Sequence, residues 1–299
     1  MSIHKNSQHD HSHHAEGSEL GKPTQYVNHY SPELLYPISR QLARDALHIS
    51  GTLPFRGEDI WTAWEVSWLN EKGKPQVAVA EFRIPVTSPN IIESKSFKLY
   101  LNSLNQTRVG SWEELKQRLM RDLSETAGEP VQVELVSLQE AASGLWGKGL
   151  HTPQQTGFAE SRELPVVLVD NLDIEVDTYL PNAEFLKVNS EEFVEEILVS
   201  DLLKSNCPVT GQPDWASVWV HYEGPRLSHE GFLRYIISLR DFQDFHEQCV
   251  ETLFMDIQRH CAPTKLSVLA RYTRRGGLDI NPFRSSEQVA PPLGRLVRQ

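Results

Sequence analysis

The chain has 299 residues, 29 Lys and Arg against 40 Asp and Glu, and a formal charge of -11 at pH 7. At 39% apolar residues it can bury a core, which excludes a wholly disordered protein, and its length fits two modules or one large domain. The acidic balance argues against broad binding to a nucleic-acid backbone, leaving room only for a small basic site. No run approaches the roughly 18–20 apolar residues needed to span a bilayer. The N-terminus lacks the basic-then-apolar layout of a secretory signal, and three cysteines make no disulfide framework. A cytoplasmic protein that binds neither membrane nor nucleic acid is expected.

Residues 1–25 carry the stretch HKNSQHDHSHH, with His4, His9, His11, His13 and His14. Such a tract can bind transition metals. With no scaffold to fix the ligands, it reads as a disordered polar tail. Patterning begins near Trp61. Trp64, Val66 and Trp68 alternate with Glu65 and Ser67, the period of a half-buried strand. The turn Asn70 to Pro75 leads to a second alternation from Gln76 to Ile84, so a hairpin is predicted. The segment from Ile91 to Ser103 is mixed and polar. Ser111 with Glu114 forms a capping box, Leu115, Leu119 and Leu123 share one helix face, and Gly128 with Pro130 ends the helix. Val131, Val133 and Leu135 predict another strand, which makes an α+β pattern.

Residues 140–165 read as loop. The glycines at 144, 147 and 149 neither follow a strand nor open a helix, so they are no dinucleotide fingerprint. The second half repeats the theme. A strand is predicted over Asp214 to Tyr222, then a helical stretch capped by Ser228 and broken near Asp241–Asp244, then a closing strand from Lys265 to Arg271.

Three segments depart from core patterning. In Ser205 to Asp214 (SNCPVTGQPD) a cysteine sits among turn formers with a carboxylate seven positions on. A thiol attacks as thiolate and needs such a loop setting, plus an acid for the group it generates. Cys207 is therefore a candidate nucleophile as well as an ordinary loop thiol. In FHEQC, His246 and Cys249 stand at i and i+3, but the two further ligands of a zinc site are not evident. Glu247 beside His246 could accept two hydrogen bonds from a guanine-type N–H edge, although pattern alone reads it as a solvated helix face. Thr264 to Leu278 has four basic residues and no acid. That island is either a phosphate site, helped by its glycines, or a set of ordinary strand-end residues.

Together IESKSFKLY, SNCPVTGQPDW, FHEQC and RYTRRGGLDINPFRS resemble, in order and spacing, the motifs of the 7-cyano-7-deazaguanine reductases, the nitrile reductases of queuosine biosynthesis, in their long two-module form. The likeness covers about residues 26 to 299. It implies two tandem tunnelling-fold, ferredoxin-like modules, at 26–165 and 166–299 after the tail at 1–25, assembled as a homodimer with a barrel. It also implies reduction of the nitrile preQ0 to the amine preQ1 by two NADPH, without a metal. On this likeness Cys207 forms a covalent thioimide and Asp214 supplies the proton. Ile92, Glu93, Ser94, His246 and Glu247 hold the substrate, and Ser94, Lys95, Arg275 and Gly276 hold NADPH.

Overall fold

The structure, a computed structural model, describes residues 26–143, 164–291 and 294–299. The His-rich tract and most of the 140–165 loop lie outside the described residues. Among those described, the chain runs β1 (Pro37–Ser39), α1 (Gln41–Ala46), β2 (Arg56–Leu69), β3 (Pro75–Pro85), β4 (Asn90–Ile92), α2 (Ser94–Ser103), α3 (Trp112–Ala127), β5 (Gln132–Val136) and α4 (Leu138–Ser143). It continues with β6 (Val166–Leu168), β7 (Val188–Asn206), β8 (Pro213–Leu227), α5 (His229–Ser238), α6 (His246–Cys261), β9 (Lys265–Tyr272) and β10 (Leu278–Ser285). This is a mixed α+β architecture. One sheet has the strand order β5-β3-β2-β10-β9-β8-β7-β6, and β1 pairs with β4 in a small second sheet. Every neighbour in the large sheet is antiparallel except β6 on β7.

Local chemistry explains the predicted elements. The β2–β3 hairpin turns where the Asn70 side chain accepts from the Lys72 and Lys74 amides and Gly73 takes φ +81°. Ser111 caps α3 by accepting from the Glu114 amide at 3.0 Å. The Glu114 carboxylate reaches back to the Gly110 amide rather than that of Ser111. Gly128, at φ +82°, closes the helix in the left-handed conformation that a side chain disfavours. Ser228 caps α5 through the Gly231 amide.

Four features differ from the sequence expectation. A bulge shifts the β2–β3 register between Ala63 and Val66, so Trp61, Ala63, Val66 and Trp68 share the core face. Trp64 leaves that face and donates its indole N–H to Asp279 at 2.6 Å. The mixed segment after Ile91 is largely helix. Lys265–Tyr272 does not close the sheet, because β10 follows it and pairs with β2.

The helices pack on one face of the sheet over two cores. One gathers Val218, Val220, Phe232, Leu253, Phe254 and Val268 around α5 and α6. The other gathers Trp61, Trp68, Phe82, Phe97, Leu119 and Ile280 around α2 and α3. A smaller cluster on the opposite face joins Trp219, Leu269 and Phe283 to Leu296 near the C-terminal end. Between the two cores lies a buried ionic group. Asp59 takes Arg40 at 2.6 Å and Arg284 at 2.8 Å, and Glu251 takes Arg44 at 2.8 Å and Arg284 at 3.0 Å.

Candidate active site

The β7–β8 hairpin brings the predicted thiol and acid together. Cys207 leaves β7 in a turn closed by its own N–H on the Gln212 carbonyl and by the Gly211 N–H on the Cys207 carbonyl. Asp214 sits at the start of β8 opposite Ser205. The end of β7 also holds the chain that enters α6, since the Asn206 N–H donates to Phe242 and its carbonyl accepts from Asp244. This places His246, the first residue of α6, over the hairpin. Its Nε2 lies 3.2 Å from one Asp214 oxygen, and Arg275 Nη1 lies 2.8 Å from the other. Burial alone would raise the Asp214 pKa, but His246, Arg275 and Lys98 more than offset it, so the group is held below the ordinary carboxylate range. Asp214 therefore rests as an anion.

Glu247 has the opposite character. It is 3% exposed, so the solvated-face reading fails. Burial, reinforced by the charge on Asp59, pushes its pKa up to about 8. The start of α6 carries no side-chain cap, which leaves its first amides and the positive end of the helix dipole near the carboxyl. Asp244, two residues before His246, is also raised well above the ordinary range, chiefly by burial, although it accepts from the Phe245 amide. Three buried carboxyl groups with divided protonation thus share one place.

They line a cleft of about 520 Å³, counting its open mouth. Cys207, Asp214, His246, Glu247, Arg275, Ile92 and Ser94 all contribute to its wall. Glu93 does not. It is the N-cap of α2, and its two oxygens accept from the Lys95 and Ser96 amides at 2.7 and 2.8 Å. Burial raises its pKa against the pull of those amides and of Lys98 and Lys95. A carboxylate has about four lone-pair positions, so the cap leaves Glu93 further accepting capacity behind Ile92 and Ser94.

Lys95 and Gly276 line a second cleft, about 830 Å³ on the same measure, beside α2 and the β9–β10 turn. Lys98 belongs to both walls. Burial lowers its pKa, and the nearby Arg275 adds to the shift. The turn itself is tight, with the Arg275 N–H on the Leu278 carbonyl and Gly276 and Gly277 at φ +59° and +82°. Consecutive positive φ values make this a turn for glycine. A Cβ on Gly276 would also come within 3.2 Å of the Lys98 side chain.

Two family models match the chain. One, described as nitrile reductase, 7-cyano-7-deazaguanine-reductase N-term, covers residues 26–135, and the other, described as QueF-like protein, covers 213–291. Proteins named NADPH-dependent 7-cyano-7-deazaguanine reductase from Burkholderia lata and Burkholderia multivorans are each 52% identical over 95% of this chain and 99% of their own. One of that name from Paraburkholderia phytofirmans is 51% identical over the same shares. The chain belongs to the 7-cyano-7-deazaguanine reductase family. A solved structure described as the archaeosine synthase QueF-Like in the apo form matches 35% of this chain and all of its own, at 22% identity and a TM-score of 0.29.

For this reductase-family chain, the first match contains the α2 residues of both clefts, and the second contains Asp214, His246, Glu247 and Arg275. Cys207 lies between the two matches. Sequence reasoning missed Lys98 and Asp244. A lysine in a mixed run reads as solvated, and the only available signal was its i+3 spacing from Lys95 on what proved to be a helix. Asp244 lay in the expected helix break. Cys249, once a candidate metal partner of His246, is fully buried, and burial pushes its thiol up to about 12. Among the described residues no group of three or more His, Cys, Asp or Glu is placed to hold a metal ion, and no helix is long and apolar enough to cross a membrane.

Proposed function

We propose that this chain reduces the nitrile of preQ0 to the primary amine of preQ1 with NADPH, a reading supported by relatives named NADPH-dependent 7-cyano-7-deazaguanine reductase. The supporting observation is the gathering of Cys207, Asp214, His246 and Glu247 around one cleft that shares Lys98 with a basic neighbour. Asp214, resting as an anion, takes the Cys207 proton as sulfur attacks the nitrile carbon. A C–S bond forms, one C–N π bond breaks, and the same proton passes from Asp214 to nitrogen. The product is a neutral thioimide, and Asp214 is an anion again.

Reduction of a nitrile to an amine takes four electrons and four hydrogens, that is, two hydrides and two protons. NADPH, when bound, supplies the hydride for each half. The residues along the second cleft suit its phosphates, with Lys95 and Lys98 as cations and Gly276 leaving the backbone open. After the first half the C–S bond breaks, Cys207 leaves as thiolate, and an imine remains for the second. The bound base and cofactor would have to fill the cleft's mouth to keep water from that imine. Glu247, with Ile92, Glu93 and Ser94, takes the base, and His246 holds Asp214 and passes it protons. The substrate is a free base, so the acidic surface needs no nucleic-acid site. Two tunnelling-fold modules per chain, a homodimer and a cytoplasmic setting complete the proposal.

Mass spectrometry of the protein mixed with preQ0 tests it. The expected result is a mass gain equal to the intact ligand, absent in Cys207→Ala, followed by oxidation of two NADPH per preQ0. Folded protein that forms no adduct overturns the mechanism.

A further inference from the structure

His246 has one polar contact that fixes its ring, the 3.2 Å approach of Nε2 to Asp214. Its Nδ1 is buried with no hydrogen-bond partner among the described residues. An imidazole anchored at one atom can still swing about its side-chain bonds, and a swing of an ångström removes it from Asp214. What stops the swing is Tyr272. The two rings lie face to face, with centroids 3.8 Å apart and planes 5° from parallel.

Tyr272 is fully buried at the end of β9, and its hydroxyl lies near Cys249 and Ser205 with no partner at ordinary hydrogen-bond geometry among the described residues. The aromatic plane is thus what it contributes. Its backbone is held from the other side of the sheet. The Gln299 side-chain amide donates to the Tyr272 carbonyl at 3.3 Å and to Asn281 Oδ1 at 2.6 Å. Asn281 in turn donates to the Ile60 carbonyl on β2. The segment ending in Gln299 is seated by Leu296 in the opposite-face cluster and by Arg298 on Ser217.

We propose that Tyr272 is a positioning residue for the Asp214–His246 pair, and that Gln299 braces it from the opposite face of the sheet. The inference rests on the reading of Cys207, Asp214 and His246 as the reacting set. Stacking sets the ring plane of His246, and the imidazole then presents Nε2 to Asp214 without a second hydrogen bond. A site held this way loses rate, rather than substrate affinity, when the plane is released.

The test is the rate of preQ0 adduct formation against pH in the full chain, alongside preQ0 affinity measured in a Cys207→Ala background. Tyr272→Leu should slow adduct formation by about 30-fold, the scale of a small misplacement of reacting groups, with affinity changed less than about threefold. The acid limb of its pH profile should move to higher pH, because Asp214 loses the contact that lowers its pKa. Tyr272→Phe keeps the ring and should restore the rate. Gln299→Ala should give the same pH shift with a smaller rate loss, and it serves if Tyr272→Leu does not fold. Wild-type rates in Tyr272→Leu, or equal impairment in Tyr272→Phe, overturn the inference. A parallel loss of rate and affinity makes Tyr272 structural and overturns it as well. Wild-type protein that forms no adduct overturns the functional reading instead, so the two failures are distinct.

Discussion

Glu247 and Glu251 stand four residues apart on one face of α6, and both are buried. Glu251 is surrounded by cations. Burial would raise its pKa, but Arg284 and Arg44 at hydrogen-bond distance, with Arg40 beyond them, lower it instead. Among the described residues no cation lies at hydrogen-bond distance from Glu247, the pull of Arg40 and Arg284 is outweighed by burial and Asp59, and its pKa rises to about 8. Same helix, same burial and same side chain therefore give one structural ion and one carboxyl that burial holds protonated. Burial alone does not mark a functional carboxylate; burial without a partner does.

Glu251→Gln should produce the largest effect. It strands Arg44 and leaves Arg284 with Asp59 alone in a buried seam, and breaking such a pair costs about 3–5 kcal/mol. Chemical denaturation should show this loss, with the preQ0 affinity of the remaining folded protein nearly unchanged. Glu247→Gln should do the reverse. The affinity for preQ0, measured by calorimetry, should fall by about 100-fold, the price of replacing an acceptor in a site built for N–H donors. Its thermal stability should not fall. If both variants lose stability alike, the contrast between the two carboxyl groups is broken.

The pH dependence sharpens the same contrast. Glu247 is neutral in the free protein below about pH 8 and must ionise to accept two N–H bonds, so binding releases a proton. Affinity in Cys207→Ala should therefore rise with pH by up to about tenfold per unit until pH 8, then level off. Stability runs the other way. The unfolded carboxyl ionises near its ordinary pKa while the folded one stays protonated, so this group's contribution is lost as pH rises toward 8. The melting-temperature gain from Glu247→Gln should thus be larger at pH 8 than at pH 5.

Glu93 gives the smallest effect and lies between the two cases. Glu93→Ala removes the cap of α2 and should cost about 1 kcal/mol of stability, with a smaller loss of preQ0 affinity than at Glu247. An affinity loss as large as that of Glu247→Gln would show that the cap leaves Glu93 free to hold the base.

The elements written in short-range chemistry were legible from sequence. The Asn70 turn, the Ser111 and Ser228 caps and the turn formers between Cys207 and the strand at Asp214 depend on neighbours within a few residues, whereas β7, the other arm of the same hairpin, went unread. Elements decided at long range were not. Glu93 is an uncommon cap, so the segment holding the helix Ser94–Ser103 read only as mixed and polar. β10 carries Asp279, Asn281 and Arg284 at positions whose partners come from β2, α6 and Gln299. Leu278 and Ile280 alternate with Asp279 and Asn281, but Pro282 cuts that strand signal short. Trp64 was placed on the wrong face because the bulge that turns it outward adds one residue without changing the apparent alternation. In the site, residue types were readable, but their charge states were not. Whether Asp214 or Glu247 holds a proton depends on burial, then on His246 and Arg275 for the first and Asp59 for the second, all of which only folding brings about.

The pairing of β10 with β2 also bears on synthesis. Asn281 meets the Ile60 carbonyl across 221 positions, so β2 lacks its β10 partner on that edge until those positions have been made. Trp61 and Ile280, which wall the cleft together, meet only at that step. Such late, long-range closure is slow relative to hairpin formation. A ribosome stalled short of residue 278 would hold a chain whose β7–β8 strands and Cys207 turn are already made while the cleft still lacks its β10 wall.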